Sequence, residues 1–149
     1  MASTVIYEVK AALLTKLQAD STLSDIQVVY ADPGEAMRRE CVFMGDAVSG
    51  NQIPESLASG RRRRIEEFRL DVHVAVQSKA AGVQEAEQRA IALAAAVENV
   101  GADYPTLSDS VTGLMFLECA GISTNTGEAG IDGPRVLATV HFQVKARLS

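Results

Sequence analysis

The spacing of apolar positions changes along the chain, and each change marks an element. Residues 4–19 place Val5, Ile6, Val9, Ala12, Leu13 and Leu17 at three-and-four intervals, the stripe of a one-sided helix. Ser3 or Thr4 supplies its N-cap, and Lys10 and Lys16 fall off the stripe. Asp20-Ser21 marks the exit, and residues 26–30 read as a short strand ended by Asp32-Pro33-Gly34. Residues 40–45 form a second apolar run, β-rich in Val42 and Phe43. The cleanest alternation follows: Phe68, Leu70, Val72, Val74 and Val76 face one way, and Arg69, Asp71, His73, Ala75 and Gln77 the other.

A second helix is predicted over 83–100, with a stripe of Val83, Ala86, Ala90, Leu93, Ala94 and Val97. Its Ala-rich side suits close approach to a sheet, and after Gly101 the Asp103-Tyr104-Pro105 segment closes it. Residues 111–122 read as a strand with Met115, Leu117 and Cys119 on one side and Leu114, Phe116 and Ala120 on the other. Apolar groups on both faces predict a central strand or one covered by a partner. The last strand, 136–148, turns Val136, Ala138, Val140, Phe142 and Val144 inward and Thr139, His141, Gln143 and Lys145 outward. The predicted order is α-β-β-β-α-β-β: one α+β domain over residues 1–149, with an antiparallel sheet and two helices packed on one side. The polar stretches at 46–60 and 123–134 are too long for ordinary turns, so 46–64 and 123–134 are expected to be long loops or arms.

Composition narrows the class. An apolar share of 47% against 22% charged residues excludes a disordered chain. The longest apolar stretch, 90–97, is far short of the roughly 20 residues of a membrane span. Glu8 and Lys10 interrupt what would be the apolar part of an export signal, so a soluble intracellular protein is expected.

A net charge of −5 withdraws support for general nucleic-acid binding. The charge is uneven: residues 80–134 carry one basic and eight acidic residues, and 135–149 three basic and none acidic. The run Arg61, Arg62, Arg63, Arg64 has three readings: a solvated strand entrance, contact with DNA phosphates, or pairing with an acidic surface on another copy. The charge split favours the third over DNA, with residues 80–134 as the acidic surface. A head-to-tail contact between unlike patches closes into a ring where the rotation allows.

The chemical inventory offers no enzyme signature. Cys41 and Cys119 sit in apolar runs and read as buried free thiols. His73 and His141 lack ligand-spaced neighbours and fall at outward strand positions, where a solvated imidazole is expected. Ser49-Gly50 and Ser59-Gly60 lack a nucleophile-elbow frame, and Gly127, Gly130 and Gly133 lead into Pro134 and a strand rather than a helix that could hold phosphate. No catalytic, cofactor-binding or metal residue is expected. An enzyme using either histidine would need a cleft with convergent polar groups.

The sequence resembles the tail terminator, or tail completion, proteins of long non-contractile-tailed bacteriophages. The resemblance rests on element order, length and texture over nearly the whole chain. Its parts are the opening helix Val5-Ile6-Tyr7-Glu8-Val9-Lys10, the strand end Tyr30-Ala31-Asp32-Pro33-Gly34, the extended Phe68-Arg69-Leu70-Asp71-Val72-His73-Val74, the Ala-rich helix, and two final strands joined by a Gly-rich loop. Head-tail joining neck proteins share much of it. The family implies a non-enzymatic virion component without cofactors, assembled in the host cytoplasm into a ring, usually sixfold. Such a ring caps the tail tube, ends its polymerisation, offers a surface to the head-tail connector protein and lets DNA pass without specific binding. Arg61–Arg64, Leu114 and Phe116 are then the candidate subunit or tube contacts. The alternatives are a neck adaptor or a small non-viral module that binds a ligand or peptide.

Overall fold

The computed structural model describes residues 4–54, 64–78, 82–126 and 135–148. Its elements run α1 (Ile6–Ala19), β1 (Gln27–Val29), β2 (Glu40–Pro54), β3 (Arg64–Gln77), α2 (Val83–Asp103), β4 (Leu114–Thr126) and β5 (Arg135–Leu148). The five strands form one sheet in the order β1-β2-β3-β5-β4, with both helices packed on one face. The predicted α+β order is therefore found.

The sheet is mixed rather than wholly antiparallel. β1 pairs parallel with β2, with Gln27 opposite Cys41 and Val29 opposite Phe43. Residues 30–39 carry the chain back to the end of the sheet where β1 began, which a tight hairpin turn could not do. The other pairings are antiparallel.

The helix-covered face follows from alternation. β3 and β5 pair without a register shift, so Phe68 meets Val144, Leu70 meets Phe142 and Val72 meets Val140 on the same side. Each of these is buried, and each contributes roughly 1.5–3 kcal/mol on leaving water. Onto them pack Val9, Leu13 and Leu17 of α1, and Ala90, Leu93, Ala94 and Val97 of α2. Gly101 lies inside α2, which runs to Asp103. A Cβ there would stand 2.5 Å from Cε1 of Phe142, so glycine is what lets the helix settle on β5. Val83, placed in the predicted stripe, is exposed at the first turn.

One charged residue lies within this apolar layer. Glu66 is 0% exposed, and its Oε1 accepts from Thr4 Oγ1 at 2.8 Å and the Val5 backbone N–H at 3.1 Å. Thr4 Oγ1 also accepts from the Ile6 N–H at 3.2 Å, but the N-cap position of α1 is Val5, one residue past the predicted threonine cap. Helix starts leave four N–H groups without partners, and β3 supplies one acceptor here.

The predicted arms need correction. Residues 46–54 belong to β2, residues 123–126 to β4, and Arg64 opens β3; 55–63 and 127–134 lie outside the described residues. Register shifts between Met44 and Ala47 and between Ser49 and Asn51 break the alternation that marks a strand. At the other edge, Ile122, Thr124 and Thr126 are exposed beyond the helical cover, so backbone pairing rather than apolar side chains holds them. β4 also starts later than predicted. A shift between Leu114 and Phe116 sends Leu114, Leu117 and Cys119 toward the core and leaves Met115 exposed.

A polar network on the open face of the sheet

Alternate residues of the same strands build the uncovered face, and register decides which of them meet. Asp71 of β3 stands opposite His141 of β5, which stands opposite Gly121 of β4. One row away, His73 faces Thr139, which faces Ser123. His141 Nδ1 lies 2.6 Å from Asp71 Oδ1, and Ser123 Oγ lies 2.9 Å from His141 Nε2. Arg69 closes the group: its Nε donates to Asp71 at 3.1 Å, and its Nη2 lies 2.5 Å from His141 Nδ1. Burial alone would raise the Asp71 carboxyl, but hydrogen bonds from His141 and Arg69 and their charges outweigh it and hold it below its ordinary value.

A serine, an imidazole and a carboxylate in line form the chain of bonds that can activate a hydroxyl. Here Arg69 competes for the same ring nitrogen. Nδ1 either donates to Asp71, leaving Nε2 to accept from Ser123, or accepts from Arg69, so that Nε2 donates to Ser123. The second arrangement removes the base. The cavity of about 330 Å³ on this face is lined by Asp32, Phe43, Asn125, Arg135 and Leu137, none of them in the chain. The arrangement ties three strands together and pairs its own charges.

His73 is not the solvated imidazole that the alternation suggested. Its Nδ1 lies 2.8 Å from Thr139 Oγ1, and its ring lies 5.2 Å from that of Phe43. Burial lowers its pKa below the ordinary 6.5, against the opposing pull of Asp71, Asp46 and Asp32 and with that of His141. Gly45 makes the room, since a Cβ there would lie 2.5 Å from His73 Nε2. Beside it, Cys41, Phe43 and Ala75 form a small second cluster with Val29, Met37 and Leu137. Burial first, and then Asp32, push the Cys41 thiol up to about 11, so it is an inert apolar group. Cys119, expected buried, is half-buried.

Among the described residues, the sequence-predicted contact residues do not gather. Leu114 packs against the main core, whereas Phe116 is half-buried on the open face opposite Lys145. Arg64 is half-buried opposite Leu148 at the start of β3, and Arg61, Arg62 and Arg63 lie outside the described residues. Among the described residues, no three His, Cys, Asp or Glu side chains are placed to hold a metal ion, and no helix is long and apolar enough to cross a membrane. Sequence reasoning missed the Asp71–His141–Ser123 chain. The two-residue spacing of Arg69, Asp71 and His73 gave their common face, but only the β3–β5 register brings His141 to Asp71.

No protein-family model matches the chain, and no curated protein does. Among solved structures, a chain of "Virion of native gene transfer agent (GTA) particle" shares the fold with a TM-score of 0.59 and 21% identity. The match covers 98% of this chain and 99% of that one.

Proposed function

We propose that this chain is a structural virion protein that forms a ring on the end of a tail tube, stops its polymerisation and presents the surface to which the head attaches. The observation that carries this reading is the near-complete mutual coverage with a chain of a gene transfer agent virion: the whole domain, not a fragment, matches. The sequence resemblance to tail terminators supplies the finer role. The polar network supports a non-catalytic reading, because Arg69 competes for the imidazole nitrogen a base would need.

In this reading the partners are further copies of the chain, the tube protein and the head-tail connector, with DNA passing through the bore unbound. The run Arg61–Arg64 is read as contacting a ring neighbour or the tube, as is Phe116 on the open face, while Leu114, packed against the core, is a separate candidate contact. Light scattering over a concentration series tests the ring directly. A discrete species of about six protomers is expected. A strict twofold dimer would overturn the ring and point to a binding module. Capture by tube protein rather than by connector protein separates a terminator from a neck adaptor.

A further inference from the structure

We infer that in the assembled ring the free outer edge of β4 in one protomer adds, strand to strand, to the free outer edge of β2 in the next. This rests on the ring reading above and names its contact. The sheet has two edges. At one, β1 covers β2 only along Cys41–Phe43, and among the described residues no strand lies outside residues 47–54. At the other, the turn after α2 guards the start of β4, where the Leu117 N–H donates to the Pro105 carbonyl at 2.8 Å. Further along β4, no described strand lies outside residues 121–126. An open edge of this kind is a template for another strand.

The hydrogen-bonding phase of the ladders identifies the groups at each edge. Along an antiparallel pair, residues alternate between exchanging both bonds with the partner strand and turning them outward. Leu117, whose N–H turns away from β5, stands opposite Val144. Counting along β5 puts Ile122, Thr124 and Thr126, opposite Val140, Ala138 and Val136, in the same outward phase. On the other side, the Gln77 N–H donates to the Arg39 carbonyl at 2.8 Å, and the same count along β3 turns Ala47, Ser49 and Gln52 of β2 outward. The two counts start at opposite corners of the sheet and agree, since both make Phe68 and Val144 a bonded pair between β3 and β5.

Direction, composition and register select β2 of a second copy as the occupant. β2 and β4 run in opposite directions within the sheet, so a copy set alongside without being turned over meets β4 antiparallel and continues the alternation of β2-β3-β5-β4. Two different edges make a heterologous contact, the kind a ring requires. Chains that stand alone commonly guard their edges with charge. Neither 47–54 nor 121–126 carries a charged residue, in a chain whose residues are 22% charged. Ser49 stands level with Phe68, and Thr124, through Ala138, with Val74. Pairing the two therefore offsets neighbours by the distance from Phe68 to Val74, about 20 Å along the strand. The strands β2, β3, β5 and β4 of one protomer together span about 19 Å across. Those two lengths tilt the strands by about 45° from the ring axis, the tilt of sheets that close on themselves.

Hydrogen exchange on the wild-type chain tests the contact, read residue by residue above and below the concentration at which light scattering shows assembly. Exchange at Ile122, Thr124 and Thr126 and at Ala47, Ser49 and Gln52 is expected to slow together, by about tenfold or more, on assembly. Slowing on β4 alone would show two β4 strands meeting about a twofold axis and would overturn the proposal. An oligomer in which neither edge slows overturns this contact and leaves the ring reading standing. A chain that is monomeric at every concentration overturns both. Proline substitution supplies a second measurement, with thermal unfolding as the control for folding. Thr124→Pro and Ser49→Pro each remove an outward N–H, and each is expected to weaken self-association by about tenfold or more. Ser123→Pro removes an N–H bonded to β5 and is expected to lower the unfolding temperature instead. A folded Thr124→Pro chain that assembles as the wild type does overturns the proposal.

Discussion

The two faces of the sheet are written by the same strands in alternate letters, yet they are held by different physics. On the helix-covered side, Phe68, Leu70, Val72 and Val74 of β3 meet Val144, Phe142, Val140 and Ala138 of β5, all buried. On the open side, Arg69, Asp71 and His73 meet Gln143, His141 and Thr139. The first face needs only apolar groups of fitting volume, because burial is non-directional. The second needs particular atoms at hydrogen-bond distance, and among the described residues no buried side-chain nitrogen or oxygen lacks a partner. One face carries the stability of the fold. The other carries what distinguishes this chain from a generic sheet with two helices.

Neighbouring residues on β5 put that comparison at risk most directly. Phe142→Ala removes the ring that fills the gap left by Gly101, and a loss of about 3–5 kcal/mol is expected in urea unfolding. Gln143→Ala, one residue along and on the other face, should change stability by less than about 0.5 kcal/mol. Comparable losses would erase the distinction between the faces. Glu66 is the exception within the covered face, and Glu66→Ala is expected to cost about 2–3 kcal/mol by leaving the Val5 N–H and Thr4 hydroxyl without their acceptor. Hydrogen exchange should localise that loss to the first turn of α1, whereas a loss spread over β3 would show that Glu66 acts through packing. On the open face, Gly45→Ala forces a methyl group against His73, and about 1–3 kcal/mol is expected. The effect should shrink when His73→Ala is combined with it, since the two changes share one contact.

How much of this was legible follows from the same division. The strict alternation from Phe68 to Val76 and the stripe of Val9, Leu13 and Leu17 gave β3, α1 and the covered face, because burial selects residue type and type is what a sequence displays. The parallel β1–β2 pair was missed, because strand direction depends on where residues 30–39 travel and not on the letters of either strand. The far half of β2 read as loop because its register shifts leave no period to detect. The turn after α2 was hidden for another reason. Leu107, Ser108 and Asp109 take φ values of 52, 56 and 57° in succession, with no glycine to announce it. Of the polar network, the alternation marked Arg69, Asp71 and His141 as outward residues, said nothing of their partners, and left Ser123 in a loop. Asp71 and His141 are seventy positions apart, and only the β3–β5 register makes them neighbours.

The finest test of the open face is its response to acid, where the effect is smallest and the sign is fixed. His73, whose ring lies 5.2 Å from that of Phe43 and whose Nδ1 lies 2.8 Å from Thr139 Oγ1, is held below its ordinary pKa of 6.5 by burial. As pH falls below about 6.5, the unfolded chain takes up a proton at this position that the folded chain declines, so the unfolded state gains and folding stability declines. The contribution is complete above that pH and disappears through the lower folded pKa, with a slope that one proton limits to about 1.4 kcal/mol per pH unit. Asp71, also held low, acts in the same direction but only below its ordinary 3.8, so the two windows separate. Urea midpoints measured between pH 7 and pH 5 should therefore fall in the wild type and fall less in His73→Gln. A His73→Gln profile parallel to the wild type across that range would mean the imidazole is solvated after all. The open face would then be held by its ion pairs alone.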